Sequence, residues 1–296
     1  MSRELSPVRI SGSVDEATGL SVEAFRERFE AVDRPVVIRA GAKSLRAFER
    51  WNPEYLVATV GDVRAPHKLS VTNKHPDFDQ QSLAVTFARG ESTLGELVRA
   101  VTTGPIEERS KRLFTGDEKY LLRRRNGVTT IDRELEPLWR DVGLPELVPE
   151  ARLYTVWAWL SGRGVRTWLH YDNNGCHNLN AQVCGRKQCL LFEPTDPESL
   201  YLFEPGGTNP ALNCSAVDVD APDLEKYAHF ARASALSTTL EAGDLLFIPA
   251  WWPHAFFHDG EFNANVNYWW TPDSPRENAI ARRQAAIDGH ASNAMG

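Results

Sequence analysis

The sequence predicts a mainly β protein, built as a barrel or a double-sheet jelly roll. From residue 151 onward, short β-branched and aromatic runs alternate with turn residues, which is typical of that architecture. Gly185-Arg186 and Ala242-Gly243-Asp244 are turn signals between such runs. Nine Trp and 42% hydrophobic residues in a chain of 296 supply ample material for a core.

The N-terminal region, residues 1–115, mixes helical and strand signals. Apolar residues at helical spacing predict helices, and the β-branched run from Pro35 to Arg39 predicts a strand. The predicted helices run from Ser21, a good N-cap, to Phe29, from Leu45 to Val60 with an interruption at Pro53, and from Thr93 to Val101.

The remainder divides into a β core, residues 116–272, and a C-terminal helix with a small-residue tail, residues 273–296. A charged stretch at about 105–150 precedes the β runs, and the polar segment 276–287 has helical character. The predicted strands are 153–160, 166–171, 181–184, 188–192, 237–240, 245–249 and 264–270.

Composition narrows the class of protein. With 33 basic against 40 acidic side chains, the chain is mildly acidic, which argues against general affinity for nucleic acid or anionic membrane. The N-terminal residues lack the apolar segment of a signal peptide, and the most apolar window, 245–257, is too short to span a bilayer. We therefore expect a cytoplasmic protein with no membrane partner.

Four cysteines lie between Cys176 and Cys214. Together with His177 they invite a zinc interpretation, but the paired CxxC spacing of structural zinc sites is missing. Reduced thiols that pack as small hydrophobic side chains are the favoured interpretation.

Two histidines and an aspartate form the leading candidate site. His170 and Asp172 are two residues apart at the end of a β run, so both project to one face of an extended strand. His254, on a distant strand, would complete a 2-His-1-carboxylate triad that leaves positions open for substrate and O2, as in non-haem Fe(II) oxygenases. His258 is a rival third ligand and His177 a rival for the first pair. A surface His–Asp pair and a buried core histidine remain the alternatives.

Lys187 is the second notable residue. A lysine beside the apolar run 188–192 is costly if it is buried alone, and an anionic ligand would explain it. An outward-pointing lysine in a hairpin is the equal alternative. Asn178, Gln182 and Asn267 also lie on predicted strands, where they either bind a ligand or alternate toward solvent.

Several separated motifs resemble one family. They are Thr167-Trp-Leu-His170-Tyr-Asp172, the stretch from Asn178 to Lys187, Gly243-Asp-Leu-Leu-Phe-Ile-Pro-Ala-Trp-Trp-Pro-His254 and Val266-Asn267-Tyr-Trp269. Together they resemble the JmjC/cupin-like oxygenases that use Fe(II) and 2-oxoglutarate, and are most similar to the factor-inhibiting-HIF type of hydroxylase. The resemblance implies a double-stranded β-helix, the cupin-like jelly roll, with an N-terminal α/β elaboration and a C-terminal helix.

The resemblance also implies residue roles. The implied iron ligands are His170, Asp172 and His254. The implied contacts of 2-oxoglutarate are Lys187, Thr167 and Tyr120 at its distal carboxylate, with Asn178 and Asn267 near its metal-binding end. The loop from Asp172 to Asn178, which carries Cys176 and His177, is longer than in the hydroxylase type it resembles, so this loop is the expected place of substrate choice.

The function implied is hydroxylation of an unactivated C–H bond, with release of succinate and CO2. A protein or peptide side chain is the expected substrate, and a free amino acid or natural-product intermediate is the alternative. A tRNA-modifying hydroxylase, to which the basic cluster from Arg109 to Arg125 could contribute, a lysine demethylase and a non-catalytic cupin-like binding protein are further possibilities. Relatives of this type dimerise through C-terminal helices, so residues 276–287 are the expected homodimer contact.

Overall fold

The computed structural model describes residues 8–75, 77–79, 84–86, 88–109, 112–115, 123–125, 128–130, 135–203 and 213–294. The strands in these ranges are β1 Arg9–Ser13, β2 Asp15–Ala17, β3 Val36–Ile38, β4 Arg64–Leu69, β5 Lys74–His75, β6 Asp77–Asp79, β7 Ala84–Thr86, β8 Ala88–Thr93, β9 Arg112–Thr115, β10 Arg123–Arg125, β11 Val128–Thr130, β12 Leu153–Gly162, β13 Arg166–His170, β14 His177–Cys184, β15 Lys187–Phe192, β16 Ser234–Leu240, β17 Leu245–Ile248, β18 His254–His258 and β19 Phe262–Trp270.

The α-helices are α1 Val22–Phe25, which continues as a π-helix over Arg26–Glu30, α2 Arg46–Arg50, α3 Pro53–Val60, α4 Leu94–Thr103, α5 Ile106–Arg109, α6 Glu136–Val142 and α7 Ala279–Ala294. Short 3₁₀ turns occur at Gly41–Ser44, Glu150–Arg152 and Ala228–Arg232. The described part of the chain contains no helix that is both long enough and apolar enough to cross a membrane.

Two large sheets form the body of the molecule. One has the strand order β1-β16-β15-β18-β13-β5, and the other has the order β2-β3-β17-β14-β19-β12-β9-β4-β8. The strands from β12 to β19 are shared between the two sheets, and the chain crosses from one to the other between most consecutive strands. This arrangement confirms the predicted double-stranded β-helix, with N-terminal strands and helices added to it and a C-terminal helix.

The predicted helices are confirmed, and their first residues explain them. The Ser21 hydroxyl accepts a hydrogen bond from the Ala24 amide, and the Asn52 side chain caps α3 before Pro53. Thr93 and Glu96 form a reciprocal capping box at the start of α4. Pro53 therefore separates two helices, as the interruption in the pattern indicates.

Successive side chains along the strands point alternately to the hydrophobic core outside the barrel and to the barrel interior. On β12, Val156, Ala158 and Leu160 belong to the largest hydrophobic cluster, in which they pack with residues of α1, α3 and α4. The intervening residues, Trp157 and Trp159, line a cavity instead. The helices therefore cover the outer face of the nine-stranded sheet and leave its inner face to the site.

Gly185 determines how β14 turns into β15. Its φ of 79° lies in the left-handed region, and a Cβ there would overlap the Phe262 carbonyl oxygen. Only glycine meets both conditions without strain, so the turn that positions Lys187 depends on it. Gly185-Arg186 is thus a turn connection that carries the chain from one sheet to the other, and not a hairpin, because β14 and β15 pair with different strands.

The C-terminal helix packs on its own chain and continues to Ala294, beyond the predicted end at residue 287. Ile280 is fully buried in a cluster with Tyr171, whose hydroxyl donates to Gln284 Oε1 at 2.7 Å and accepts from Arg283 at 2.9 Å. Part of its apolar stripe is thus used within the chain. The homodimer contact and the domain boundaries at residues 115 and 272 stay predictions.

Glu30 is a buried carboxylate on which stability should depend. It accepts hydrogen bonds from Arg152 at 3.0 Å and from the Trp270 indole at 2.8 Å. Glu30→Ala removes the acceptor of the buried Trp270 indole and one partner of the half-buried Arg152, and it should lower the free energy of unfolding by about 3 kcal/mol in urea denaturation. Glu27→Ala, an exposed change in the same helix, should alter it by less than about 0.5 kcal/mol. Equal effects of the two changes would contradict this account.

Candidate metal centre and its cavity

Three side chains that the sequence separates come together at one point. His170, Asp172 and His254 each offer one ligand atom, and these atoms lie within 4.8 Å of one another. His170 Nε2 is 3.9 Å from Asp172 Oδ1, and the two imidazole centroids are 4.5 Å apart. The separation suits a single ion bound by all three.

The strand register produces this arrangement. β13 and β18 are antiparallel neighbours, and His170 lies directly opposite His254 across an irregular stretch of the pairing. Asp172 follows β13 two residues later and returns to the same side, while Tyr171 points the other way into the cluster beneath α7. The hydrogen bonds of the Tyr171 hydroxyl to Gln284 and Arg283 therefore help to fix the backbone between His170 and Asp172.

The imidazoles present their free nitrogens to the ion. The Nδ1 atoms of His170 and His254 lie 2.7 Å from the Trp168 carbonyl and 2.9 Å from the Trp252 carbonyl. Because a carbonyl only accepts, both Nδ1 atoms carry the proton and both Nε2 atoms keep a lone pair for a metal. Burial lowers the pKa of His170 to about 4, and the His254 imidazole acts in the same direction. His170 is thus neutral at physiological pH, as a metal ligand must be.

Asp172 is held by two donors. Its Oδ2 accepts hydrogen bonds from Asn178 at 2.9 Å and from the Trp269 indole at 2.8 Å, which leaves Oδ1 directed at His170. Burial raises the pKa of Asp172, but the two imidazoles and these hydrogen bonds outweigh it and hold the pKa below its ordinary value. The carboxylate is therefore charged and oriented before any ion arrives.

An amide network extends from this carboxylate into the barrel. Asn178 Oδ1 accepts from Asn267 Nδ2 at 2.8 Å, and Asn267 Oδ1 accepts from Asn265 at 2.6 Å and from Asn180 at 3.3 Å. All four side chains are buried. A chain of donors that ends on Asp172 fixes the orientation of the amide at each step.

Asn178→Ala should weaken the metal site without removing a ligand. The change deletes one of the two donors to Asp172 Oδ2 and breaks the link to Asn267. We expect the dissociation constant for Mn(II) or Fe(II) to rise about 10- to 100-fold in anaerobic calorimetry. Asn173→Ala, a change in the adjoining loop, serves as the control. An unchanged affinity in Asn178→Ala would show that the second donor is dispensable.

Lys187 is buried in the same cavity. Its exposed fraction is 1%, and its ammonium lies 4.4 Å from the centre of the Phe256 ring. Among the described residues, no carboxylate or hydrogen-bond acceptor pairs with it. Burial lowers the pKa of Lys187 to about 7, which is the electrostatic mark of a cation that lacks its counter-ion. The outward-pointing alternative is therefore wrong.

The cavity encloses about 300 Å³, and both the three candidate ligands and Lys187 line it. Thr167 lies on its wall. Three tryptophans, Trp157, Trp159 and Trp269, form the tryptophan wall of the cavity, and the sequence motifs did not indicate this role. Their signal was present in the alternation on β12 and β19, where tryptophan and asparagine occupy the inward positions. The volume is at the lower end for ligand sites, so it accepts a small cosubstrate and one group of a larger molecule.

The rival residues lie elsewhere. His177 is fully buried with its ring against Phe247 and Trp270, and its Nδ1 accepts from the Ala250 amide at 3.1 Å. Alternation on β14 points it away from the cavity that Asn178 enters. Cys176 is buried as well, and burial raises the pKa of its thiol to about 12. The loop from Asp172 to Asn178 does reach the cavity, through Asn173 and Asn174 rather than through Cys176 and His177, and its role in substrate choice stays a prediction.

His258 also lines the cavity, but not as part of the triad. Its Nδ1 is 2.7 Å from the Ser161 hydroxyl, and it lies opposite Lys187 in the register of β15 and β18. Tyr120, expected at the distal carboxylate, lies outside the described residues. The cysteines are free thiols, which agrees with the favoured interpretation, and the described residues place no zinc cluster around them.

These features define a jelly-roll protein with an internal candidate metal site of two imidazoles and a carboxylate. The chain belongs to the cupin-like domain family, whose model matches residues 22–276. It is 32% identical over 264 residues to the tRNA wybutosine-synthesizing protein 5 of Homo sapiens. The matched region covers 87% of this chain and 77% of that protein.

Other relatives carry different names. The chain is 31% identical over 263 residues to the tRNA wybutosine-synthesizing protein 5 of Gallus gallus, with 87% of this chain and 76% of that protein covered. It is 26% identical over 263 residues to lysine-specific demethylase 8 of Xenopus tropicalis, with 85% and 51% covered. The family predicted from the motifs is thereby confirmed.

Proposed function

We propose that this protein is an Fe(II)- and 2-oxoglutarate-dependent dioxygenase that hydroxylates an unactivated C–H bond. The observation that carries the proposal is one cavity with a charged, pre-oriented triad and a buried lysine that lacks an anion. In the register of β15 and β18, His254 faces Leu191, four residues from Lys187, or about 14 Å along the strand. The lysine side chain, the His254 imidazole and the ion each fill part of this backbone separation, so a five-carbon dicarboxylate between the ammonium and the ion would satisfy both.

In this proposal each residue has a defined task. His170, Asp172 and His254 hold the iron, and Lys187 neutralises the distal carboxylate through a charge-assisted hydrogen bond. When bound, iron and 2-oxoglutarate supply the oxidation by O2, in which the substrate gains one oxygen atom and the cosubstrate leaves as succinate and CO2. Thr167 and Tyr120 are proposed as further carboxylate contacts. The tryptophan wall excludes water from the reacting group.

A nucleoside of a tRNA is the substrate class that we favour. Trp157 and Trp159 present aromatic surface beside the candidate metal ligands, and a planar base stacks well on such surfaces. Two of the relatives are named tRNA wybutosine-synthesizing protein 5, at 32% and 31% identity. A base swung out of a flexible RNA segment also matches a cavity that admits one group only.

A protein or peptide side chain is the second candidate. The net charge of −7 favours it, because a strongly basic surface is the usual mark of a nucleic-acid-binding protein. Relatives named lysine-specific demethylase 8 support the same class. Hydroxylation of a free small molecule has no specific observation in its favour. The cytoplasmic location is likewise a proposal.

The test is succinate formation by the purified protein with Fe(II), 2-oxoglutarate and O2. Three arms receive total tRNA, a peptide digest of cell extract and free amino acids, with mass spectrometry for the gain of one oxygen. We expect succinate above the substrate-free background in the tRNA arm, while a signal in the peptide arm would establish the second candidate. If anaerobic addition of 2-oxoglutarate to the Fe(II) protein produced no visible charge-transfer band, the protein would be a non-catalytic cupin-like scaffold.

A further inference from the structure

A second uncompensated lysine lies at the border of the cavity. Lys68, on β4, is half-buried, and its ammonium lies 5.5 Å from the centre of the Trp159 ring. Burial lowers the pKa of Lys68, the nearby Cys214 opposes this shift, and Arg89 adds to it. Trp159 itself lines the cavity, so the Lys68 ammonium lies beside the cavity wall.

Arg89 faces Lys68 across the sheet. The register of β4 and β8 pairs the two residues directly, so two cations share one face. Like charges directly opposite one another destabilise a sheet. Neither side chain has a carboxylate or a hydrogen-bond partner among the described residues. Arg64 on β4, by contrast, pairs with Glu91 on β8 at 3.4 Å. The fold therefore retains two cations opposite each other with no carboxylate beside them among the described residues, and the contact of Lys68 with the Trp159 ring is the described contact that offsets part of the cost.

Trp159 adds an independent sign of a ligand. Its indole N–H is buried without an acceptor, although buried polar groups are nearly always hydrogen-bonded. The sheet order places β9 between β12 and β4, so the inner face that carries Trp159 continues directly toward Lys68 and Arg89. An aromatic surface with one unpaired donor, the Trp159 indole N–H, and two cations at its edge matches a planar group that is attached to an anion.

The surrounding backbone adds basic residues. β10, which consists of Arg123, Arg124 and Arg125, lies close to β12. Three arginines of the stretch from Arg109 to Arg125, which the sequence predicted to support RNA binding, thus lie on a strand next to the one that carries Trp157 and Trp159.

We propose that Lys68 and Arg89 form a phosphate-binding site beside the cavity, where they hold the backbone of an RNA substrate while its base lies on the tryptophan wall. The site rests on the proposed function for the identity of that base. Phosphate contacts position a substrate without reading its sequence, so this site determines affinity and approach. The reaction itself remains with the metal centre.

The test measures binding of a fluorescein-labelled, unmodified tRNA transcript to the full-length protein by anisotropy over a series of salt concentrations. Lys68→Gln and Arg89→Gln should each raise the dissociation constant about 5- to 10-fold near 0.1 M salt and reduce the salt slope by about 0.9. Arg9→Gln, an exposed cation on the edge strand β1, is the matched control and should change neither quantity. The thermal midpoint of Lys68→Gln should equal or exceed that of the wild type, since a purely structural lysine would lower it.

The outcomes separate this site from the proposed function. If Lys68→Gln and Arg89→Gln bind like Arg9→Gln while tRNA still supports succinate formation, the phosphate site is wrong and the function stands. If the substitutions weaken binding but no RNA supports succinate formation, the site stands and the tRNA substrate is wrong. If the wild-type protein does not bind the transcript but binds an acidic peptide, and Lys68→Gln weakens that binding, the RNA assignment is wrong.

Discussion

Replacing Asp172 by alanine should abolish 2-oxoglutarate turnover. The change removes one of the three candidate ligands and the only carboxylate among them. Because loss of a residue that merely supports a ligand already costs about 10- to 100-fold in metal affinity, we expect a loss of more than about 100-fold here. Anaerobic calorimetry with Fe(II) and a succinate assay measure the two effects.

Controls separate loss of the metal from loss of the fold. Alanine at position 172 leaves the Trp269 and Asn178 donors without their acceptor, which itself costs about 1–3 kcal/mol. Asp172→Asn keeps the shape of the side chain while it removes the charge, and Asp62→Ala is an exposed control. Succinate formation at the wild-type rate in a folded Asp172→Ala protein would disprove the metal assignment.

Lys187→Met should weaken the binding of 2-oxoglutarate while it leaves the metal site intact. The ammonium is the only cation that we assign to the distal carboxylate, and a hydrogen bond to a charged group contributes about 1.5–3 kcal/mol. The dissociation constant should therefore rise about 10- to 150-fold, as followed by the visible band of the anaerobic Fe(II) complex. Lys43→Met is a matched control, since that lysine also lies over an aromatic ring, Phe48, but on the surface. An unchanged dissociation constant in Lys187→Met would place the carboxylate elsewhere.

The affinity for 2-oxoglutarate should also depend on pH through the same lysine. Burial lowers the pKa of Lys187 to about 7 in the unliganded protein, and an anion favours the protonated form. Below pH 7 the charge is already present and the dissociation constant should be level. Above pH 7, binding of the anion must take up a proton. The dissociation constant should therefore rise about tenfold per pH unit until the pH reaches the pKa of Lys187 in the bound state. Lys187→Met should show no such rise between about pH 6 and pH 9.

Local chemistry predicted much of the fold. Ser21, Pro53 and the Thr93–Glu96 pair mark helix starts through bonds within one turn of the chain, so a short stretch of sequence contains all the information needed. His254 was expected on a strand, but the bounds of that strand, β18, were not predicted. The run before it contains two tryptophans and two prolines and lacks a clear strand period. The longer C-terminal helix was missed because polar, small residues carry little periodic signal.

Net charge proved a poor guide to where charge lies. The excess of acidic residues is a property of the whole chain, whereas Lys68 and Arg89 are 21 residues apart and meet only because β4 and β8 pair in register. Closeness in sequence is an equally poor guide to which side chains enter the cavity. His177 is five residues from Asp172, but alternation on β14 directs it away from the cavity, whereas Asn173 and Asn174 of the same loop line it.

The sequence alone determined the family, the jelly-roll class and the identity of the candidate ligands, because spaced motifs and strand periodicity are properties of the linear chain. The tertiary structure decided which polar residues share one cavity. Only the pairing of β13 with β18 brings His170 opposite His254, and only burial of β15 shows that Lys187 faces inward without a counter-ion. Register and burial depend on contacts between distant segments, which no local pattern contains. The tryptophan wall and the paired cations beside it became visible for the same reason.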